Sequence, residues 1–136
     1  MKIVVDVNVL LSGLIKDSTR RRIILKSGFD LYFPKVSFEK IQKYKAEVLE
    51  KSKLNEVEYN ALLKALLGKI KLVSTEDLMD CWDGAKEAME KVDPEDVVFI
   101  AVALRLDDAR IWSDDRHFEK QARIKVLKTK DMQKLM

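Results

Sequence analysis

Short apolar runs alternate along the chain with segments of helical periodicity, and this alternation predicts a parallel sheet. Runs rich in β-branched residues predict strands, because buried parallel strands form continuous hydrophobic stretches. We expect five strands, at Ile3–Val5, Leu31–Phe33, Ile70–Val73, Arg110–Trp112 and Ile124–Leu127. Helices that connect parallel strands form right-handed crossovers. The predicted fold class is therefore α/β, a three-layer α/β/α domain with a central five-stranded parallel sheet that spans residues 1–136.

The helices are predicted from apolar spacing and from capping residues. Asn55 with Glu58 forms a capping-box pattern, and Asp93-Pro94 combines an N-cap with a proline in the first turn. Apolar residues near helical spacing after Ser37 predict one long amphipathic helix there. The other expected helices are 9–16, 20–27, 76–91, a short one after residue 115 and a terminal one from about 130.

Three acidic positions fall where a sheet of this kind binds its ligands. Ligands bind beyond the carboxyl ends of parallel strands, at the point where the strand order reverses. Asp6 ends the first strand, Asp114 and Asp115 follow the fourth, and Asp96 lies in the first turn of the preceding helix. Each acid alone has an ordinary explanation as a turn or capping residue. Together they predict a carboxylate cluster, and two divalent ions about 4 Å apart in such a cluster promote phosphodiester hydrolysis.

Composition narrows the choice of metal. The chain has one cysteine, Cys81, and one histidine, His117, so a thiolate cage or a multi-histidine site within one chain is excluded. We therefore expect oxygen ligands, which favour Mg²⁺ or Mn²⁺. The net charge of +3 permits a nucleic-acid partner without requiring one. The first apolar run is broken by Asp6 and Asn8, so we expect a cytoplasmic protein without a membrane partner.

Three segments resemble the motifs of PIN domains, in order and over nearly the whole chain. They are VVDVNVLLSGLI from Val4, DPEDVVFIAVAL from Asp93 and RIWSDDRHF from Arg110. The resemblance implies that the metal-binding acids are Asp6, Asp96 and Asp115, and that Asp114 is not one of them. It also implies that Asn8 and Ser113 support the site, and that Asp93 is the extra acid found in part of the family.

The resemblance also implies a function. PIN domains generally cleave RNA with the help of Mg²⁺ or Mn²⁺, so we expect a ribonuclease. Many members are VapC-like toxins of prokaryotic toxin–antitoxin pairs and are often dimers. An antitoxin protein and a second copy of the chain are therefore the expected protein partners.

Two residues depart from the family pattern. The family usually has a glutamate in the middle helix, at the position that Lys40 occupies here, whereas Glu39 lies one residue earlier. One residue turns a side chain by about 100° around a helix, so only one of these two neighbours can face the metals. Glu39 would assist catalysis if it faced them, and Lys40 would place a positive charge there. His117, where some members have a further acid, is interpreted as a surface residue or a phosphate contact.

Three other functions were compared with this one. A haloacid-dehalogenase-like phosphatase needs a second aspartate two residues after the first, where this chain has Asn8. A response-regulator receiver needs an acidic pair at the first strand, and only Asp6 is present there. The remaining alternative is a weakly active or inactive PIN-like module that binds RNA or protein. This alternative remains because Lys40 occupies the position where the family usually has a glutamate.

Overall fold

The computed structural model describes residues 1–136 and contains one sheet of five parallel strands. The strands are β1 (Lys2–Val5), β2 (Asp30–Pro34), β3 (Ile70–Val73), β4 (Ala109–Trp112) and β5 (Val126–Leu127). Their order across the sheet is β3-β2-β1-β4-β5, and every neighbouring pair is parallel. The predicted α/β fold with five parallel strands is confirmed. The fifth strand is shorter than expected, because Ile124 lies outside it.

Eight α-helices accompany the sheet. They are α1 (Val7–Ile15), α2 (Thr19–Lys26), α3 (Phe38–Lys43), α4 (Lys45–Ser52), α5 (Glu56–Leu67), α6 (Trp82–Met89), α7 (Val97–Leu106) and α8 (Thr129–Lys134). None of them is both long enough and apolar enough to cross a bilayer. The expected long helix after Ser37 is divided into α3 and α4, because Tyr44 leaves the helical region with φ −95° and ψ 9°.

Both faces of the sheet are covered at its centre. The three consecutive residues Ile3, Val4 and Val5 of β1 are each fully buried. Successive strand residues point to opposite faces, so burial of all three requires helices on both sides. Helix α7 packs on β1, β2 and β4, and α6 packs on α7. Helix α1 packs with α2, α4 and α5 in a separate group. This arrangement gives the three layers.

Helix α7 is the most buried helix of the fold. All seven residues from Val97 to Ala103 are buried, as expected for a helix that is apolar on every side. Phe99 on this helix meets the ring of Phe33 edge-on at 5.8 Å and the ring of Phe118 at 6.1 Å. Phe118 belongs to the segment that follows β4. The aromatic contact therefore fixes that segment against the helix that begins next to Asp96.

The strand order reverses between β1 and β4, and their pairing continues past the end of each strand. Val5 pairs with Trp112, and the backbone N–H of Asp6 donates to the Trp112 carbonyl at 3.1 Å. The next residue of the β4 segment, Ser113, donates its N–H to Leu127 at the end of β5. Asp6 and Ser113 are thereby held side by side at the carboxyl edge of the sheet.

Candidate functional site

The Asp6 carboxylate is the deepest acidic group at this edge. Its residue is 4% exposed, and its Oδ2 accepts a hydrogen bond of 2.8 Å from the fully buried Ser113 hydroxyl. The same Ser113 oxygen accepts the backbone N–H of Asp115 at 3.0 Å. One serine thus fixes two of the predicted acids relative to each other, and its expected supporting role stays a prediction.

Asp115 is positioned by the turn in which it lies. Its Oδ1 accepts the backbone N–H of His117 at 2.9 Å, which is the capping arrangement for the short helical turn Arg116–Lys120. Phe118 in that turn is fully buried against Phe99. Because the turn cannot move without exposing this ring, Asp115 and His117 are held in place by the core.

The other two acids enter from the start of α7. Asp93 caps the short turn Pro94–Asp96 by accepting the N–H of Glu95 at 3.0 Å. This leaves Asp96 at the top of α7, where it is 9% exposed. Local capping therefore explains the backbone conformation of the turn before α7. The burial of Asp96 follows from the packing of α7 against one face of the sheet.

His117 lies among three carboxylates, a position that its sequence context did not predict. Its Nδ1 is 3.4 Å from Asp93 Oδ2, 3.8 Å from Asp96 Oδ2 and 3.7 Å from Asp115 Oδ1. This nitrogen is shielded from solvent and has no hydrogen-bond partner, although 44% of the side chain is exposed. The surface interpretation is correct only for the outer part of the ring. The sequence signal that could have placed His117 in the site is its position two residues after Asp115, at the carboxyl edge of the sheet.

Lys40, and not Glu39, faces the acids from α3. The Lys40 ammonium forms an ion pair with Glu95, and its charge opposes, without cancelling, the rise in the pKa of Asp6 and Asp96 that burial causes. Glu39 is exposed and takes part in none of the hydrogen bonds or ion pairs of the site. The structure therefore does not bring Glu39 to the cluster as expected for an assisting residue, because one step along the helix turns it away.

The cluster carries negative charge that Lys40 does not neutralise. Burial raises the pKa of Asp6 to about 6, against the opposing hydrogen bond from Ser113. Burial, followed by the charges of Asp93 and Asp6, raises the pKa of Asp96 to about 7. Both groups remain raised even with the lysine nearby. A bound cation would relieve this repulsion, because opposite charge favours the ionised form of a carboxyl group.

Asp114 is separate from the cluster, although it adjoins Asp115 in sequence. Its carboxylate accepts hydrogen bonds from the hydroxyl and N–H of Thr129, at 2.6 and 2.9 Å, and from Arg20 at 2.9 and 3.1 Å. Burial works to raise the pKa of Asp114, but the Thr129 and Arg20 hydrogen bonds outweigh it and hold that pKa below its ordinary value. Asp114 is therefore already satisfied by the protein and joins β4 to α8.

The donor set fits a divalent cation. One ligand atom each from Asp93, Asp96 and His117 lies within 4.8 Å of the other two. Atoms that share one ion at about 2.0–2.6 Å lie at separations of this size. The Nδ1 of His117 is shielded from solvent and makes no hydrogen bond, so it is free to bind a cation. Ligands of oxygen alone were expected, and the structure adds one imidazole nitrogen to the set.

Asn8 does not join the acids through any hydrogen bond. It is exposed on the first turn of α1, where it lines a groove. Its expected supporting role therefore stays a prediction.

Comparison with known proteins agrees with this architecture. No curated protein gives a significant match to the chain. A family model described as PIN domain matches residues 4–135, which is nearly the full length. The match includes all three motifs and every acid of the cluster. The chain therefore belongs to the PIN domain family.

Proposed function

We propose that the protein is an endoribonuclease that depends on Mg²⁺ or Mn²⁺. PIN domains are generally nucleases and typically use divalent metals, which supports this proposal at the level of the family. The observation that carries it is the convergence of Asp6, Asp96 and Asp115 from three distant segments, together with His117, at the carboxyl edge of the sheet.

The proposed ligands are Asp6, Asp96 and Asp115, with Asp93 and His117 beside them. A divalent cation supplies a Lewis acid and lowers the pKa of water that it binds, which is the chemistry that phosphodiester hydrolysis needs. Ser113 keeps Asp6 and Asp115 at a fixed separation, so that they need not reorganise when charge develops. Burial of Asp6 and Asp96 strengthens their electrostatic contacts, because charges interact more strongly away from bulk water.

Lys40 supports a second candidate, a module that binds RNA or protein with little or no cleavage. Its ammonium lies where the family usually has a glutamate, and it partly compensates the acids in the absence of metal. The nuclease is preferred because Lys40 is engaged by Glu95, and because its charge does not offset the rise in the pKa of Asp6 and Asp96 that burial and the neighbouring carboxylates cause.

Two neighbouring aspartates provide a matched test of the nuclease. We expect Asp115→Asn to reduce Mn²⁺-dependent cleavage of a labelled single-stranded RNA at least about 100-fold, as for loss of a group that acts on the developing charge. Asp114→Asn removes the same charge one residue away and should keep cleavage, since Arg20 and Thr129 hold that carboxylate outside the cluster. Circular dichroism checks that both variants are folded. Equal activity of Asp115→Asn and the wild type would remove the acid-cluster mechanism.

A toxin role, with an antitoxin partner and a dimeric chain, is the narrower hypothesis within this function. It is supported only by the prevalence of such toxins in the family. Induced expression in a bacterial host should stop growth, and Asp115→Asn should restore it. Normal growth with active enzyme present would argue for a role in RNA processing instead.

A further inference from the structure

A groove lies between α1 and α4. Its cavity volume is about 450 Å³. One wall starts at Asn8, two residues after Asp6, and the other contains Tyr44. Tyr44 lies one turn after Lys40, and its N–H donates to the Lys40 carbonyl at 3.1 Å. Tyr44 therefore lies at the junction of α3, which carries Lys40, and α4, which forms the groove.

The groove has an apolar part that includes one aromatic ring. Leu11 and Ile15 of α1 and Val48 of α4 line it, and Tyr44 is 37% exposed at its rim. A flat aromatic ring beside aliphatic side chains can stack on the face of a nucleobase. Such stacking has little base preference, because every base has a π face. The bases of a duplex are stacked inside the helix, so only a single strand can present one in this way.

Positive charge borders the apolar surface. Lys16 is exposed at the end of the groove and forms no ion pair. Lys43 has no carboxylate partner either, and its Nζ lies 5.6 Å from the centroid of the Tyr44 ring. Lys51 also lines the groove but is paired with Glu47 at 2.8 Å. An uncompensated cation that lines the groove, Lys16, and a second one beside the Tyr44 ring, Lys43, would favour the phosphates of a nucleic-acid strand whose base enters the groove.

The dimensions favour a nucleotide over a protein helix. From Asn8 to Ile15 the wall is about 10 Å long, at a rise of about 1.5 Å per residue. This is room for one or two nucleotides, and the volume lies in the range of small-ligand pockets, about 300–1,000 Å³. A docked helix needs anchors spread over two turns or more in a longer groove.

We propose that this groove binds a base of single-stranded RNA next to the cleaved phosphodiester, with Tyr44 stacking on the base and Lys16 contacting a neighbouring phosphate. The proposal rests on the proposed function, because it takes RNA to be the substrate. It adds a substrate-positioning residue, Tyr44, and a reason for a preference for unpaired RNA.

Binding without cleavage tests the groove directly. The probes are a fluorescein-labelled oligoribonucleotide of eight adenosines and a ribose–phosphate chain of equal length without bases. Fluorescence anisotropy is measured in EDTA with the Asp96→Asn protein, so that no cleavage occurs. We expect the adenosine strand to bind about 10-fold more tightly than the abasic chain, as for one stacked base.

Two pairs of variants separate the base contact from the phosphate contact. Tyr44→Leu keeps an apolar side chain and should reduce the base preference to about twofold or less, whereas Tyr44→Phe keeps the ring and should preserve the preference. Lys16→Gln should weaken both probes equally and lower the salt slope by about 0.7, as for one phosphate contact on a single strand. Lys69→Gln, an exposed and unpaired lysine immediately before β3 at the opposite edge, should change neither.

An unchanged base preference in Tyr44→Leu, or no preference in the parent protein, would overturn the proposal. Sedimentation velocity identifies the main competing occupant, a second copy of the chain. Loss of a dimer in Tyr44→Leu with the base preference intact would assign the groove to that copy and overturn base binding. Because no step requires cleavage, base-dependent binding by a protein that fails to cleave RNA would refute only the nuclease.

Discussion

Replacing Asp6 with asparagine should stabilise the metal-free protein while destroying its metal site. The carboxyl group is buried, and its pKa is raised from 3.8 to about 6. One unit of pKa corresponds to about 1.4 kcal/mol, so at pH 8 the ionised carboxylate lowers the free energy of unfolding by about 3 kcal/mol. Asparagine removes that charge and keeps an oxygen that can accept the Ser113 hydrogen bond. We therefore expect Asp6→Asn to be about 1–3 kcal/mol more stable at pH 8, after allowance for an imperfectly paired amide.

The pH dependence has a definite sign. A carboxyl group with a raised pKa in the folded state binds protons more tightly there than in the unfolded chain. Wild-type stability from this group is therefore highest below pH 3.8 and falls as the pH rises through about 6. The advantage of Asp6→Asn should accordingly be largest at pH 8 and should fall by about 2 kcal/mol between pH 8 and pH 4.5.

Urea unfolding in EDTA at both pH values measures the difference in stability between Asp6→Asn and the wild type. In a second measurement, with Mn²⁺ in place of EDTA, we expect the wild type to become the more stable protein. A ligand present at about 100 times its Kd stabilises the folded state by about 2.7 kcal/mol, and only the wild type should gain this fully. Asp114→Asn is the control, and we expect it to lower the free energy of unfolding. The pKa of Asp114 is lowered in the folded protein, so its charge stabilises the fold. The reasoning is refuted if Asp6→Asn is no more stable than the wild type at pH 8, or if its gain does not depend on pH.

Three further predictions concern residues around the acids. Lys40→Glu should tighten Mn²⁺ binding at least about 10-fold in calorimetry, since it replaces a cation that faces the ligands, whereas Glu39→Gln should leave the affinity unchanged. His117→Ala should weaken Mn²⁺ binding more than Mg²⁺ binding, because imidazole is a better ligand for transition metals; equal losses for both ions would show that the ring is not a ligand. Phe118→Ala should lower the free energy of unfolding by about 3–5 kcal/mol in urea, from lost burial and contact with Phe99, and retention of full stability would contradict its role as an anchor.

Features that depend on local chemistry could be predicted from the sequence alone. Strand β1 and its terminal Asp6 follow from a β-branched run that ends in a charge, and the start of α7 follows from Asp93-Pro94. Parallel strands place their carboxyl ends at one edge, so the convergence of Asp6, Asp96 and Asp115 was predictable from topology. Only residues whose positions follow from helix capping or from strand topology could be assigned to the site from the sequence.

The tertiary structure decided which neighbour of each pair faces the site. Lys40 rather than Glu39 reaches the acids because the burial of Ile41 in the core sets the rotation of α3. Asp114 leaves the cluster because Arg20, 94 residues away in sequence, and Thr129 compete for its carboxylate. His117 meets three acids because Phe118 is anchored on Phe99. Each of these outcomes depends on contacts between distant segments, whose energies no local pattern in the chain encodes.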